Sequence, residues 1–191
     1  MRPSPFTAIY DACVLYPAPL RDLLLWLGLS GLFRARWSAQ IHDEWKRNLL
    51  LNRPDLHPEQ LDRTCSLMDG AIPDALVTGH EALVAGLSLP DPEDRHVLTA
   101  AIRCQAGVIV TFNLKDFPQA SLQPFGIEAQ HPDEFIANLF DLDRSAVLEA
   151  ARRQRANLKR PAMDAKHYLQ VLRRQGLVQA EQLLGRFESI I

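Results

Sequence analysis

Residues 6–11, FTAIYD, form the stretch that decides the fold: a short, apolar, β-prone run that ends at an acidic side chain. A run of this length and composition predicts a buried strand that stops at Asp11. A second run, VIVT at 108–111, is the clearest strand signal in the chain, and the polar residues Asn113 and Asp116 follow it. Both runs therefore place polar groups directly after a buried strand.

Helical patterns separate these strands. Ser38 is a good N-cap for a helix that continues to about Leu51, and Pro92 stands near the start of another helix. The remaining pattern predicts helices at 19–29, 59–70, 92–105 and 132–140, a strand or turn at 31–37, and short strands at 71–78 and 126–129. Strands that alternate with helices predict a three-layer α/β/α fold with a mostly parallel sheet and right-handed crossovers.

The end of the chain differs in pattern and in charge. Helical patterns at 143–156, 161–175 and 178–188 follow without an intervening strand, so we predict an α/β domain over residues 1–142 and a helical extension over 143–191. Residues 1–143 carry 11 Lys and Arg against 19 Asp and Glu, whereas residues 144–191 carry 10 against 4. The acidic excess argues against nonspecific coating of nucleic acid, but not against a site where bound cations offset the charge.

Several classes of protein are disfavoured by the composition. No apolar run approaches the roughly 18–20 residues needed to span a bilayer, and the opening MRPSPF is not typical of a signal peptide. The three cysteines are widely spaced and odd in number, which argues against a disulfide framework or a thiolate zinc site. We therefore predict a cytoplasmic protein without a membrane span.

The strand ends are the natural place for a functional site. In open α/β sheets, ligands bind beyond the carboxyl ends of the strands, where Asp11 and Asp116 are expected. Glu44 stands beside apolar helix positions, and Asp94 shares a helix face with Asp91 near an apolar run. Four inward carboxylates without matching Lys or Arg would repel one another, and a hard divalent cation would relieve that repulsion.

Each acidic residue also has an ordinary structural explanation. Asp91 and Asp94 are suitable for capping a helix, and Glu44 is suitable for pairing with Arg47 on a solvated face. Asn113 is suitable for a left-handed turn. Only the joint pattern of the acids points to chemistry.

Four motifs in order carry that joint pattern: YDACVLYP at 10–17, IHDEWKRNL at 41–49, LPDPEDRHVLTAAI at 89–102 and VTFNLKDFP at 110–118. Over about residues 6–140 they resemble the PIN-domain ribonucleases, the group that contains the VapC-type toxins. By this resemblance, the family's acidic metal-binding positions are Asp11, Glu44, Asp94 and Asp116. Supporting polar positions match Asp91, Thr111 and Asn113, and Asp43 competes with its neighbour Glu44.

The resemblance implies a metal-dependent endoribonuclease that uses Mg²⁺ or Mn²⁺ to hydrolyse RNA. It also implies an antitoxin protein as partner and allows for a homodimer. The basic stretch is then expected to contact RNA phosphates or an acidic partner, unless it is only a solvated helix face; its members are Arg152, Arg153, Arg155, Lys159 and Arg160.

Other functions fit less well. A phosphotransferase of the haloacid dehalogenase type would have a second Asp where this chain has Cys13. A receiver domain would carry its acceptor on a middle strand and would end sooner. A catalytically inactive PIN fold that binds protein or RNA is the remaining alternative.

Overall fold

A computed structural model describes residues 5–159 and 161–191, with residues 83–85 described by their backbone alone. Within this range the strands are β1 (Phe6–Tyr10), β2 (Phe33–Ser38), β3 (Leu76–Val77), β4 (Val108–Val110) and β5 (Glu128–Gln130). They form one sheet in the order β3-β2-β1-β4-β5, and every pairing in the described part of the chain is parallel. The predicted α/β class with a parallel sheet is therefore confirmed.

Helices precede and follow the strands along the chain. They are α1 (Ala12–Leu15), α2 (Ala18–Gly28), α3 (Ala39–Asn52), α4 (Pro58–Ala71), α5 (Arg95–Arg103), α6 (Gln119–Leu122), α7 (Pro132–Leu142), α8 (Arg144–Asn157), α9 (Ala165–Arg174) and α10 (Val178–Gly185). Ser38 caps α3 as predicted, with its hydroxyl accepting from the Ile41 N–H at 3.2 Å. None of the helices in the described residues has the length and apolar character that a membrane span requires.

An aromatic cluster joins the sheet to α7. The Phe33 and Phe135 rings meet edge to face with centroids 5.1 Å apart, and Phe6 stacks on Phe33 at 5.7 Å. Tyr10 is fully buried, and its hydroxyl donates to the Leu24 carbonyl of α2 at 3.0 Å. These contacts hold α2 and α7 against the sheet and seat β1 in the centre of the core.

Three predicted elements are shorter than expected, each for a local reason. The strand predicted at 71–78 covers only Leu76–Val77 at the sheet edge, because Pro73 precedes Asp74, whose φ is +63°. The helix predicted from residue 92 begins with a 3-10 turn, Pro92–Asp94, before α5. The helix predicted from residue 161 begins at Ala165, where Asp164 caps it by accepting from the His167 N–H.

The C-terminal helices are bonded to the α/β core. Asp133 of α7 is buried, and its carboxylate accepts from the first backbone N–H groups of α10, at Gln179 (2.9 Å) and Ala180 (2.8 Å). Gln154 of α8 donates to the Pro19 carbonyl at 2.8 Å and accepts from the Tyr168 hydroxyl of α9 at 2.7 Å. Helix α8 follows α7 directly, and the domain division between 142 and 143 stays a prediction.

Asp133→Asn is expected to lower the free energy of unfolding by about 1–3 kcal/mol, because an amide offers one acceptor oxygen where two buried N–H groups need one each. Urea denaturation measures the loss. Glu134→Gln on the exposed side of the same helix is the control and should have little effect. Equal stability of the Asp133→Asn variant and the wild type would show that the carboxylate does not anchor α10.

Candidate active site

Asp11 occupies the carboxyl edge of the sheet, at the boundary between β1 and α1. Its backbone N–H donates to the Val110 carbonyl at 3.1 Å, so the hydrogen bonding between the two strands continues one residue past the end of β1. The side chain is only 2% exposed and caps α1, with Oδ1 accepting from the Ala12 N–H at 2.6 Å. The first predicted acid is therefore a rigidly held, buried carboxylate.

Thr111 orients the second oxygen of Asp11. Its hydroxyl is buried and donates to Asp11 Oδ2 at 2.7 Å, while accepting from the Asn113 backbone N–H at 2.9 Å. Burial raises the pKa of Asp11 above its usual value, although the hydrogen bonds from Thr111 and Cys13 oppose that rise. Thr111 thus links the ends of β1 and β4 through one hydroxyl.

Cys13 contacts Asp11 and Thr111, although its sequence pattern did not predict it as a site residue. Its Sγ donates to Asp11 Oδ2 at 3.1 Å, accepts from the Phe112 N–H at 3.2 Å and lies 3.4 Å from the Thr111 hydroxyl. Burial and the Asp11 charge raise the pKa of the Cys13 thiol, which keeps the proton that it donates. The available signal was its position two residues after Asp11.

Asp94 is the acid whose surroundings most disfavour its charge. It is buried at the start of α5, and burial together with the charges of other acids raises the pKa of Asp94 from 3.8 to about 7. After burial, the acids that raise this pKa are, in decreasing order, Asp11, Asp91, Glu44 and Asp116. The structure therefore brings the four predicted acids into one electrostatic neighbourhood.

Glu44 rather than Asp43 faces this neighbourhood. Glu44 is half-buried and its Oε2 lies 3.0 Å from His96 Nε2, whereas Asp43 is exposed and pairs with Lys46 at 3.2 Å. His96 was not among the predicted site residues, although it stands two positions after Asp94 within the same motif. Its contact with Glu44 joins α5 to α3 next to the other predicted acids.

A buried polar network fixes the helix that carries Glu44. Trp45 Nε1 donates to His42 Nδ1 at 3.0 Å, which leaves the other ring nitrogen of His42 to donate to Asp69 Oδ1 at 3.1 Å. Trp37 Nε1 donates to the same oxygen at 2.7 Å. Glu44 therefore has its backbone held by packing that does not involve the other acids.

The remaining predicted site residues lie closer to solvent. Asp116 is half-buried in a 3-10 turn, Leu114–Asp116, and Asn113 before it is exposed. Asp91 is exposed, and its carboxylate caps the turn at the start of the α5 segment by accepting from the Glu93 N–H at 2.9 Å. Asp91 thus has the helix-capping role that its sequence position allowed. Its negative charge also contributes to the raised pKa of Asp94.

The predicted basic stretch is divided by the structure. Arg152 and Arg153 both bond Glu149, at 2.7 and 2.6 Å, and Arg155 donates to the Ile191 and Met163 carbonyls at 3.0 Å each. Lys159 is exposed, and Arg160 lies outside the described residues. Arg155 is consequently a structural residue rather than a surface contact.

The donor set suits a hard divalent cation. Its oxygens are carboxylates, and within the described residues none of the four acids pairs with Lys or Arg. In the described part of the chain, no three His, Cys, Asp or Glu side chains already converge as a metal-binding group. The acids therefore share one negative neighbourhood without forming a closed coordination shell.

Comparison with known proteins gives two family matches and one relative. A model described as PIN domain matches residues 7–115, and one described as VapC50 C-terminal domain matches residues 132–186. "Putative ribonuclease VapC50" from Mycobacterium tuberculosis is 46% identical over 72 residues, which cover 38% of this chain and 42% of that protein. The matched part thus spans less than half the length of this relative.

No solved structure gives a significant match. The PIN domain match extends over more than half of the chain and includes both strand ends that hold Asp11 and Thr111. The second match begins at α7 and includes α8, α9 and most of the residues after them. On this combined basis, the chain belongs to the PIN domain family.

Proposed function

We propose that this protein is an endoribonuclease that depends on Mg²⁺ or Mn²⁺, with Asp11, Glu44, Asp94 and Asp116 as its acidic centre. The observation that carries the proposal is the neighbourhood of Asp94, where the charges of Asp11, Glu44 and Asp116 act on a buried carboxylate and, among the described residues, none of these acids pairs with Lys or Arg. Such charges are costly to bury unless a cation neutralises them. The name of the VapC50 relative supports RNA as the substrate.

A bound divalent cation would supply Lewis-acid activation of the water that attacks the phosphodiester. The chain's own residues orient the carboxylates for this purpose. Asp11 Oδ2 already accepts from Thr111 and Cys13, whereas, among the groups that the structure describes, Oδ1 accepts from the Ala12 N–H alone. One acceptor position on Oδ1 therefore remains for a cation. His96 orients Glu44 in a corresponding way.

The proposed ribonuclease function leads to proposals for the substrate, the partner and the compartment. Single-stranded RNA is the preferred substrate, because unstacked bases and an accessible backbone suit recognition by proteins. An antitoxin protein is the proposed partner and the cytoplasm the proposed compartment, while a homodimer remains a prediction. The inactive-module alternative is opposed by the presence of all four acids and by the hydrogen bonds that orient Asp11.

Asp11→Asn is expected to abolish Mn²⁺-dependent cleavage of a labelled single-stranded RNA and to remove the rise in melting temperature that Mn²⁺ gives the wild type. Saturation at 100 times the dissociation constant stabilises a one-site protein by about 2.7 kcal/mol. Asp141→Asn, an exposed acid on α7, is the control and should keep both properties. Wild-type protein that neither gains stability in millimolar Mn²⁺ nor cleaves RNA would favour the inactive module.

Thr111→Val keeps the shape of the side chain but removes the hydroxyl that orients Asp11. We expect the Mn²⁺ dissociation constant, measured by titration calorimetry, to rise about 10- to 100-fold, as is typical when a group that orients a metal ligand is removed. Thr64→Val at a half-buried position of α4 is the matched control, since its hydroxyl donates to the Gln60 carbonyl of the same helix and contacts none of the four acids among the described residues. An unchanged constant for Thr111→Val would show that Asp11 needs no such support.

Asp94→Asn is expected to stabilise the metal-free protein in a pH-dependent way. The folded protein keeps the Asp94 proton up to about pH 7, while the unfolded chain releases it near 3.8, so the wild type loses stability as the pH rises between these values. Asn does not titrate. In EDTA, urea denaturation should therefore show a larger advantage of Asp94→Asn at pH 8 than at pH 5.

A loss of stability in the Asp94→Asn variant would instead identify Asp94 as a structural partner. If Asp94 were paired with a buried cationic side chain, its replacement would destabilise the protein by about 3–5 kcal/mol at pH 8. That result would contradict the assignment of Asp94 to an uncompensated acidic centre.

A further inference from the structure

The exposed face of α9 carries a basic stripe that the proposed catalytic function does not use. Helix α9 (AKHYLQVLRR) contains Lys166, Arg173 and Arg174 and no acidic residue. At 100° per residue, Lys166 and Arg174 lie within one quarter of the helix circumference, and all three basic side chains are exposed. The opposite face of α9, with Tyr168, Leu169 and Leu172, is buried.

The C-terminal end of α9 lies beside the loop that follows β4, the loop that carries Asn113 and Asp116. The turn that ends α9 is held by the bond from the Leu177 N–H to the Leu172 carbonyl, and Gly176 in that turn has a φ of +82°. A Cβ built on Gly176 would lie 4.0 Å from the Phe112 ring. Phe112 stands between Thr111 and Asn113, so the end of α9 contacts the loop that follows β4.

A second set of bonds joins α9 to the start of α2. Tyr168 donates to Gln154, and Gln154 in turn donates to the Pro19 carbonyl at the start of α2. Helix α2 follows α1, which Asp11 caps. Helix α9 is thus joined through Gln154 to the start of α2, and its C-terminal end contacts the loop that follows β4.

Helix α8 offers less free positive charge than its sequence indicates. Arg152 and Arg153 share Glu149, and Arg155 bonds two carbonyls inside the chain. On α9, Arg173 pairs with Glu181 at 3.0 Å, but no carboxylate among the described residues lies within 4.0 Å of the Lys166 or Arg174 charge. On α9, Lys166 and Arg174 are therefore the basic residues without a carboxylate partner among the described residues.

We propose that the basic stripe of α9 binds the phosphate backbone of the RNA strand that continues from the acidic centre. This inference rests on the proposed ribonuclease function and extends it to a substrate-binding surface in the C-terminal helices. A strand whose scissile phosphate lies at Asp11 is anionic along its whole length, and Lys and Arg side chains neutralise such phosphates without reading sequence. The stripe extends for about 12 Å along the helix.

Binding of RNA can be measured apart from cleavage in the full-length Asp11→Asn variant with EDTA present. The probe is a fluorescein-labelled, 20-nucleotide single-stranded RNA of mixed sequence, and anisotropy gives its dissociation constant at several NaCl concentrations. Adding Lys166→Gln with Arg174→Gln should weaken binding about tenfold near 0.1 M NaCl. The slope of log affinity against log salt should become shallower by about 1.4, or about 0.7 for each phosphate that the variant no longer neutralises.

The matched control adds Arg152→Gln with Arg153→Gln instead, which changes the charge equally on α8. We expect its affinity to stay within about twofold of the parent. Equal losses from the two double variants would show a general charge effect, and no loss from the α9 variant would leave the stripe to another partner such as an acidic protein. Either result would overturn the proposal for α9.

Cleavage by the otherwise wild-type protein separates this inference from the function on which it rests. In that background the α9 double variant should raise KM with kcat nearly unchanged, because the stripe binds substrate and transition state alike. A lowered melting temperature with a lowered kcat would instead indicate damage to the helix and would contradict the proposal. If wild type cleaves RNA but the α9 variant binds RNA as its parent does, only the surface assignment fails.

Discussion

The parallel pairing of β1 with β4 is the constraint on which the site depends. Because Ile9 pairs with Ile109 and Tyr10 with Val110, the next residues of both strands, Asp11 and Thr111, emerge side by side at the carboxyl edge. The Thr111 hydroxyl then reaches Asp11 across the two strands at 2.7 Å. A shift of one residue in this register would turn either side chain to the other face of the sheet and break the bond.

Packing of the core holds this edge of the sheet in place but also buries acidic side chains and disfavours their charged forms. Aromatic contacts at Tyr10 and Phe33 and the polar network around His42 order the elements that carry Asp11 and Glu44. The same packing removes water from Asp94, so its charge is disfavoured both by burial and by its acidic neighbours. Stability from packing thus offsets an electrostatic arrangement that, without a cation, favours the protonated acid.

Sequence periodicity predicted the parts of this arrangement that depend on local pattern. The β1 run, the Ser38 cap and the strand near 108 are confirmed, because burial and capping have direct signatures in neighbouring residues. The short β3 could not be foreseen from composition, since its limit is the backbone conformation at Asp74. Cys13 and His96 were not predicted as site residues, because each has a contact to a residue far away in the sequence. Cys13 contacts Phe112, which is 99 residues away, and His96 contacts Glu44, which is 52 residues away. The assignment of the four acids as a catalytic centre stays a prediction.

The distribution of charge in the sequence acquires a physical meaning only once the helices are in place. The total charge of residues 144–191 is positive, but ion pairs and carbonyl contacts engage Arg152, Arg153 and Arg155 of α8. On α9, Arg174 stands near the helix end that lies beside the loop following β4, and Lys166 stands at the other end of the helix. An acidic centre alone repels a polyanion over roughly a Debye length of 10 Å. The substrate-binding role proposed for the basic stripe of α9 would counteract that repulsion, and the C-terminal helices would then complement the α/β core electrostatically as well as by packing.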